Sequence, residues 1–127
     1  YVTTYLGDGG AFVRRADGSV EALMVVQKEQ SNRLDRYLSA DSPASWRPQI
    51  SRVARRRQDT LAVGSDGVVD RVDIQTVLSW LASNVATKGL SMPQAVQQLL
   101  ANFARLQADD GEPIADDNMT LLAVRMR

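Results

Sequence analysis

The spacing of apolar residues changes character twice along this chain. Residues 1–6, YVTTYL, are rich in β-branched and aromatic side chains and stop at GDGG (7–10), a turn signal. AFVRR (11–15), ADGS (16–19) and VEALMVV (20–26) then predict two strands about Asp17–Gly18, a pair that tolerates the positive φ of a tight hairpin turn. From Gln27 to Pro48 the chain is polar and weakly patterned, and SADSPASWRP (39–48) is loop by composition. LAVGSDG (61–67) predicts another strand, ending at a turn.

Beyond Asp70 the period becomes helical. Ile74, Val77, Leu78, Leu81 and Val85 fall on one face of a helix over 73–86, with Asp73 or Asp70 able to cap its start and Lys88–Gly89 to close it. A second helix is predicted over 92–107. Ser91 and Gln94 have capping-box spacing, Pro93 sits where a first-turn proline is tolerated, and Val96, Leu99, Leu100, Phe103 and Leu106 form the apolar face. ADDGEPIADDN (108–118) is an acidic loop, and MTLLAVRMR (119–127) is a final strand. Two consecutive helices between strands do not make a repeating βαβ alternation. The expected architecture is therefore α+β and layered rather than a doubly wound parallel sheet, with no internal repeat and no linker.

Composition narrows the chemistry more than the fold. The 127 residues suit one domain, and their formal charge is zero, with 24% charged and 44% apolar. No excess of Lys and Arg points to nucleic acid as a partner. No apolar run approaches the roughly 18–20 residues of a membrane span, and no signal-peptide pattern occurs. Cysteine is absent, which fits a cytoplasmic protein and removes thiolate and zinc–sulfur chemistry. Histidine is absent too, so Ser–His and Cys–His nucleophile pairs and imidazole metal sites are excluded. The chain opens on a strand without an initiator Met, and a missing N-terminal part of the same folded unit is expected.

The remaining candidates are carboxylates, and their placement is shared. Asp8 follows the first strand, Asp66 ends the LAV strand, and Asp116 and Asp117 precede the last strand. If these ends converge, the acids line one edge of the sheet, where like charges repel unless protonated or neutralised by a cation. Oxygen donors without His or Cys select hard ions. Gly9 and Gly67 let the backbone turn sharply beside such a site. Each Asp also has a plainer reading, because Asp–Gly is a common turn dipeptide and Asp often only caps an element. DDGEPIADDN lacks the alternating acids and closing Glu of an EF-hand.

Taken in order, GDGG, LAVGSDGVVD and DDNMTLLAV resemble the C-terminal half of the catalytic domain of metal-dependent protein serine/threonine phosphatases of type 2C. The resemblance covers most of the 127 residues as part of a single domain, with Gln27–Arg57 matching poorly. It implies a β-sandwich flanked by helices, here an incomplete half. Asp66 and Asp117 resemble ligands of a two-metal centre, and Asp8 resembles a ligand of a third, weaker metal that Asp70 assists. Gly67 and Asn118 would support the site, Asn118 by orienting its loop, and Thr120 would begin the strand. The implied cofactors are two or three Mg²⁺ or Mn²⁺ ions, and the implied partner is a phosphoprotein substrate. Paired metals about 3.5–4 Å apart activate a bridging water and neutralise phosphoryl oxygens.

The family's N-terminal half carries an Asp-Gly metal motif, a phosphate-binding Arg and a His proposed as general acid. None can be assigned here, so no catalytic residue is named in this chain. The Ser-Arg that usually follows the first Gly-Asp is Gly9–Gly10 here, and the family's Asp-His-Ser segment has no counterpart in VVQKEQSN. Three classes follow: part of a phosphatase whose isolated fragment is inactive, an inactive phosphatase-like binding or regulatory module, or a carboxylate-rich structural cation site. The SRVARRR run, Arg52 to Arg57, has the charge to contact nucleic acid or a phosphoprotein, but a run this short reads more often as a solvated face, and Trp46 and Trp80 read as packing residues.

Overall fold

The structure is a computed structural model that describes residues 1–5, 9–24, 49–107, 111, 113 and 118–127. The whole predicted loop from Gln27 to Pro48, Trp46 included, lies outside those residues, as do Asp8, Asp116 and Asp117. Among the described residues the elements run β1 (Val2–Tyr5), β2 (Gly10–Arg14), β3 (Val20–Ala22), β4 (Gln49–Arg52), β5 (Thr60–Gly64), α1 (Asp66–Val69), α2 (Ile74–Thr87), α3 (Met92–Phe103) and β6 (Leu121–Arg125). The architecture is α+β. A sheet of order β3-β2-β5-β6 is antiparallel throughout, and β1 pairs antiparallel with β4 in a separate ribbon.

The hairpin forms where the sequence places it. Gly18 has φ +91°, a conformation that favours glycine, and the Asp17 carboxylate accepts from the Ser19 N–H at 2.9 Å and hydroxyl at 2.6 Å. The second strand is shorter than VEALMVV suggests. β3 stops at Ala22, and Leu23 and Met24 fold inward with both N–H groups on the Ala11 carbonyl. Apolar content there reflects burial off the strand.

Two other expectations change. LAVGSDG does not end in a simple turn: Ser65 is the N-cap of the one-turn helix α1, and its carbonyl accepts from the Val68 and Val69 N–H groups at 3.0 and 3.1 Å. The physical reason is Val68, which is fully buried and holds that turn against the sheet. No strand is expected at SRVARRR, yet Ser51 and Arg52 belong to β4 and pair with Thr3 and Val2, while Arg52, Arg55, Arg56 and Arg57 are exposed as a solvated face requires.

The helices start on their predicted caps. Asp73, rather than Asp70, caps α2, accepting from the Thr76 N–H at 2.8 Å and hydroxyl at 2.6 Å. At α3, the Gln94 side chain reaches back to the Ser91 N–H at 3.0 Å. Val77, Leu78 and Leu81 are buried as expected, with Ile74 and Val85 half-buried beside them. On α3 the buried seam is Ala95, Leu99 and Phe103, whereas Val96 and Leu100 are only half-buried. That helix ends at Phe103, so Leu106 lies beyond it and is 46% exposed.

Both helices pack on the sheet face that carries Phe12, Ala62, Leu121 and Ala123. A second core lies on the opposite face, where Ala11 and Val13 meet Leu23, Met24, Tyr1, Val53 and Leu61. Further along that face Val63, Leu122 and Val124 are exposed. Among the described residues no helix is long and apolar enough to cross a membrane.

Candidate functional site

Sheet register decides which motifs can meet. Gly10 at the start of β2 lies opposite Gly64 at the end of β5, and Gly64 lies opposite Leu121 at the start of β6. Antiparallel pairing therefore carries the ends of GDGG, LAVGSDG and DDNMTLLAV to one end of the sheet. At Gly9 the approach is close enough to exclude a side chain, since a Cβ there would lie 2.6 Å from the Gly64 carbonyl oxygen.

Ser65 fastens two of these segments. Its N–H donates to the Thr120 carbonyl at 3.0 Å, its hydroxyl donates to the Asn118 carbonyl at 3.0 Å, and the same oxygen accepts from the Thr120 N–H at 3.0 Å. The hydroxyl thus holds both sides of the turn that leads into β6. The sequence does not reveal this role of Ser65, because its partners Asn118 and Thr120 lie 53 and 55 residues away.

Asp66 follows as the first residue of α1 and is half-buried. One carboxylate oxygen accepts from the Gly67 N–H at 2.8 Å, which orients the group, and Gly67 itself is buried. Asp70 stands one turn further on, exposed, with its N–H on the Asp66 carbonyl at 2.9 Å. Asp8 and Asp117 lie outside the described residues, each next in sequence to a residue at this sheet end: Gly9 for Asp8, Asn118 for Asp117. Among the described residues no three His, Cys, Asp or Glu side chains come together as a metal site. Asp66 fits the role of one hard-ion ligand, because Gly67 holds one oxygen and no hydrogen bond to the other is found among the described residues.

A second polar cluster occupies the other end of the sheet. Asp59 is fully buried, and its Oδ2 accepts from Arg15 Nη1 at 2.8 Å, the Arg56 N–H at 2.8 Å and the Tyr1 hydroxyl at 3.3 Å. Arg15, 6% exposed, also donates to Glu21 at 2.8 Å and to the Ala54 carbonyl at 2.9 Å. The hydrogen bond to Glu21 raises the guanidinium pKa, burial lowers it and Asp59 raises it, and the net effect holds it above the ordinary value. Burial and then Asp59 push the Tyr1 phenol up. This cluster ties β1, β2, β3 and the segment before β5 together and shows no reactive geometry.

A cavity of about 420 Å³ opens between α2 and α3, with Trp80, Leu99, Phe103 and Leu106 in its wall. Its acid, Asp73, is committed to the α2 cap, where the Thr76 hydroxyl and N–H depress its pKa. The cavity does not include Asp66 or Asp70.

Comparison with protein-family models, with curated proteins and with solved structures finds no match to this chain.

Proposed function

We propose that this chain is the C-terminal part of a type-2C-like catalytic domain whose parent protein hydrolyses phosphoserine and phosphothreonine on a protein substrate in the cytoplasm. The layered arrangement would be a β-sandwich flanked by helices, of which this chain supplies part. One observation carries the reading: Gly9, Ser65 and Asn118, each beside a candidate aspartate, arrive at the same end of one antiparallel sheet. Three motifs separated by about fifty residues each have no local reason to share an end.

In this reading Asp66 and Asp117 hold two Mg²⁺ or Mn²⁺ ions and Asp8, assisted by Asp70, holds a third. Bound there, the ions would supply a water nucleophile at neutral pH and charge neutralisation on the phosphoryl group. The chain's own part is to orient ligands: Gly67 aims the Asp66 carboxylate, and Ser65 holds the strand entry beside Asn118. The competing reading is a phosphatase-like binding module without turnover. It is favoured by Gly9–Gly10 standing where the family carries Ser-Arg, and by VVQKEQSN standing where the family carries Asp-His-Ser.

The test is a metal titration of p-nitrophenyl phosphate and phosphopeptide hydrolysis by the complete parent domain. Mn²⁺-dependent turnover that Asp66→Asn abolishes, and that Asp8→Asn weakens less at saturating metal, supports the enzyme. Metal binding without turnover in the complete domain supports the binding module. Full activity in Asp66→Asn removes the metal role assigned to that residue.

A further inference from the structure

The sheet end opposite the three motifs carries a concentration of positive charge that the sequence run alone does not reveal. Arg55, Arg56 and Arg57 lie in the segment between β4 and β5, and Arg52 ends β4. The tail of β6 joins them: Met126 donates to the Asp59 carbonyl at 2.8 Å and accepts from the Gln58 N–H at 3.1 Å, which places Arg125 and Arg127 alongside. Among the described residues none of these six side chains forms an ion pair. The nearby acids are already engaged. Asp59 and Glu21 serve Arg15, and Asp17, which feels Arg56, is bonded to Ser19.

The arginine segment is also built rather than loose. The fully buried Asp59 carboxylate accepts the Arg56 N–H, and the Asp59 N–H returns to the Arg56 carbonyl at 3.4 Å. Gln58 sits at φ +64°, a left-handed conformation that costs a non-glycine residue strain and that this closed turn enforces. A solvated charge run needs neither the buried anchor nor the strained residue.

We infer that this end of the sheet is a docking surface for an extended Asp/Glu-rich segment of a partner protein. The arginines come from three separate pieces of backbone, the end of β4, the segment before β5 and the tail of β6, so single spaced carboxylates suit them better than one convergent phosphate. An extended chain presents same-side residues about 7 Å apart, which lets two or three carboxylates meet arginines carried on such separate pieces of backbone. Nucleic acid is the poorer match: the aromatic residue at this end, Tyr1, has its hydroxyl on Asp59, and the whole chain carries no net positive charge. The inference does not depend on the phosphatase reading, and its test uses no activity.

The experiment is fluorescence anisotropy of the 127-residue chain with a labelled peptide of alternating Glu and Ser, at low and at physiological salt. A phosphoserine peptide and a DNA duplex of matched charge form the other arms. The Glu peptide should bind tightest and weaken as salt rises. Arg55→Glu with Arg57→Glu should weaken it roughly tenfold or more, whereas Lys88→Glu, exposed at the end of α2, should change it less than about twofold. Arg55→Gln with Arg57→Gln, whose fold is checked by circular dichroism, should give a smaller loss in the same direction. No binding by the wild type, equal losses in the Arg and Lys variants, unchanged binding in the Arg variants, or tighter binding of the phosphopeptide or the duplex would each overturn the assignment.

Discussion

Ser65 donates its hydroxyl hydrogen to the carbonyl oxygen of Asn118 at 3.0 Å, across 53 residues of chain. The same oxygen accepts from Thr120, so one side chain sets where the turn before β6 meets the end of β5. Ser65→Ala removes both bonds and leaves the backbone bond to Thr120 intact. Its cost in a urea titration should be about 0.5–1.5 kcal/mol. On the proposed phosphatase reading it should also weaken Mn²⁺ affinity in the complete domain, because Asn118 is next in sequence to the proposed ligand Asp117. Unchanged metal affinity would limit Ser65 to a structural role.

The Arg15–Asp59 pair makes a sharper stability prediction. Asp59→Ala strands a guanidinium that is 6% exposed, with Glu21 and the Ala54 carbonyl as its remaining partners. Removing one member of a buried pair costs about 3 kcal/mol. Glu21→Gln, at the half-exposed end of the same network, should cost under about 1 kcal/mol. Equal midpoints for the two variants in guanidinium chloride would show that burial does not govern this pair.

Packing of the helices on the sheet can be tested by contrast within one residue type. Leu81 is fully buried in the main core, and Leu81→Ala should cost about 2–5 kcal/mol. Leu100 is only half-buried, so Leu100→Ala should cost less. A larger loss at Leu100 would mean that α3 presents a different face.

The Asp73 cap predicts a pH dependence with a definite sign. The Thr76 hydroxyl and N–H stabilise the ionised carboxylate and lower its folded pKa. A depressed folded value contributes stability above the unfolded pKa of about 3.9 and loses it as pH falls through the folded value. The stability gap between wild type and Asp73→Ala should therefore be full at neutral pH and shrink below about pH 4. Thermal melts of both proteins across that range measure it, and a gap that widens in acid would contradict the cap.

The isolated chain should show weak Mn²⁺ or Mg²⁺ binding and no measurable hydrolysis of p-nitrophenyl phosphate. A two-metal hydrolase needs both ions, a positioned water and donors on the phosphoryl oxygens, and this chain has no assignable phosphate clamp. On the proposed phosphatase reading, supplying an N-terminal half, fused or mixed, should restore metal-dependent turnover. Robust turnover by the 127 residues alone would show that the catalytic unit is already complete.

Much of this protein is local and therefore legible in its sequence. Asp17–Gly18 specifies the hairpin because the turn needs a positive φ at the glycine. Asp73 and Ser91 mark the helix starts because a free N–H at the first turn needs an acceptor. The period of Val77, Leu78 and Leu81 identifies the buried stripe of α2 because burial selects one helical face. Tertiary structure alone decided the rest. Nothing within SRVARRR says that its first residues pair with β1, since strand pairing is a contact between segments about fifty residues apart. Nothing in LAVGSDG distinguishes a turn from α1 until the sheet supplies a surface that buries Val68. Ala95 rather than Leu100 lies in the α3 seam because the orientation of α3 is set by what faces it, and side-chain size alone does not report that. The same holds for the candidate site. Its motifs are visible, but the arrival of Gly9, Ser65 and Asn118 at one sheet end depends on the register that sets Gly10, Gly64 and Leu121 side by side.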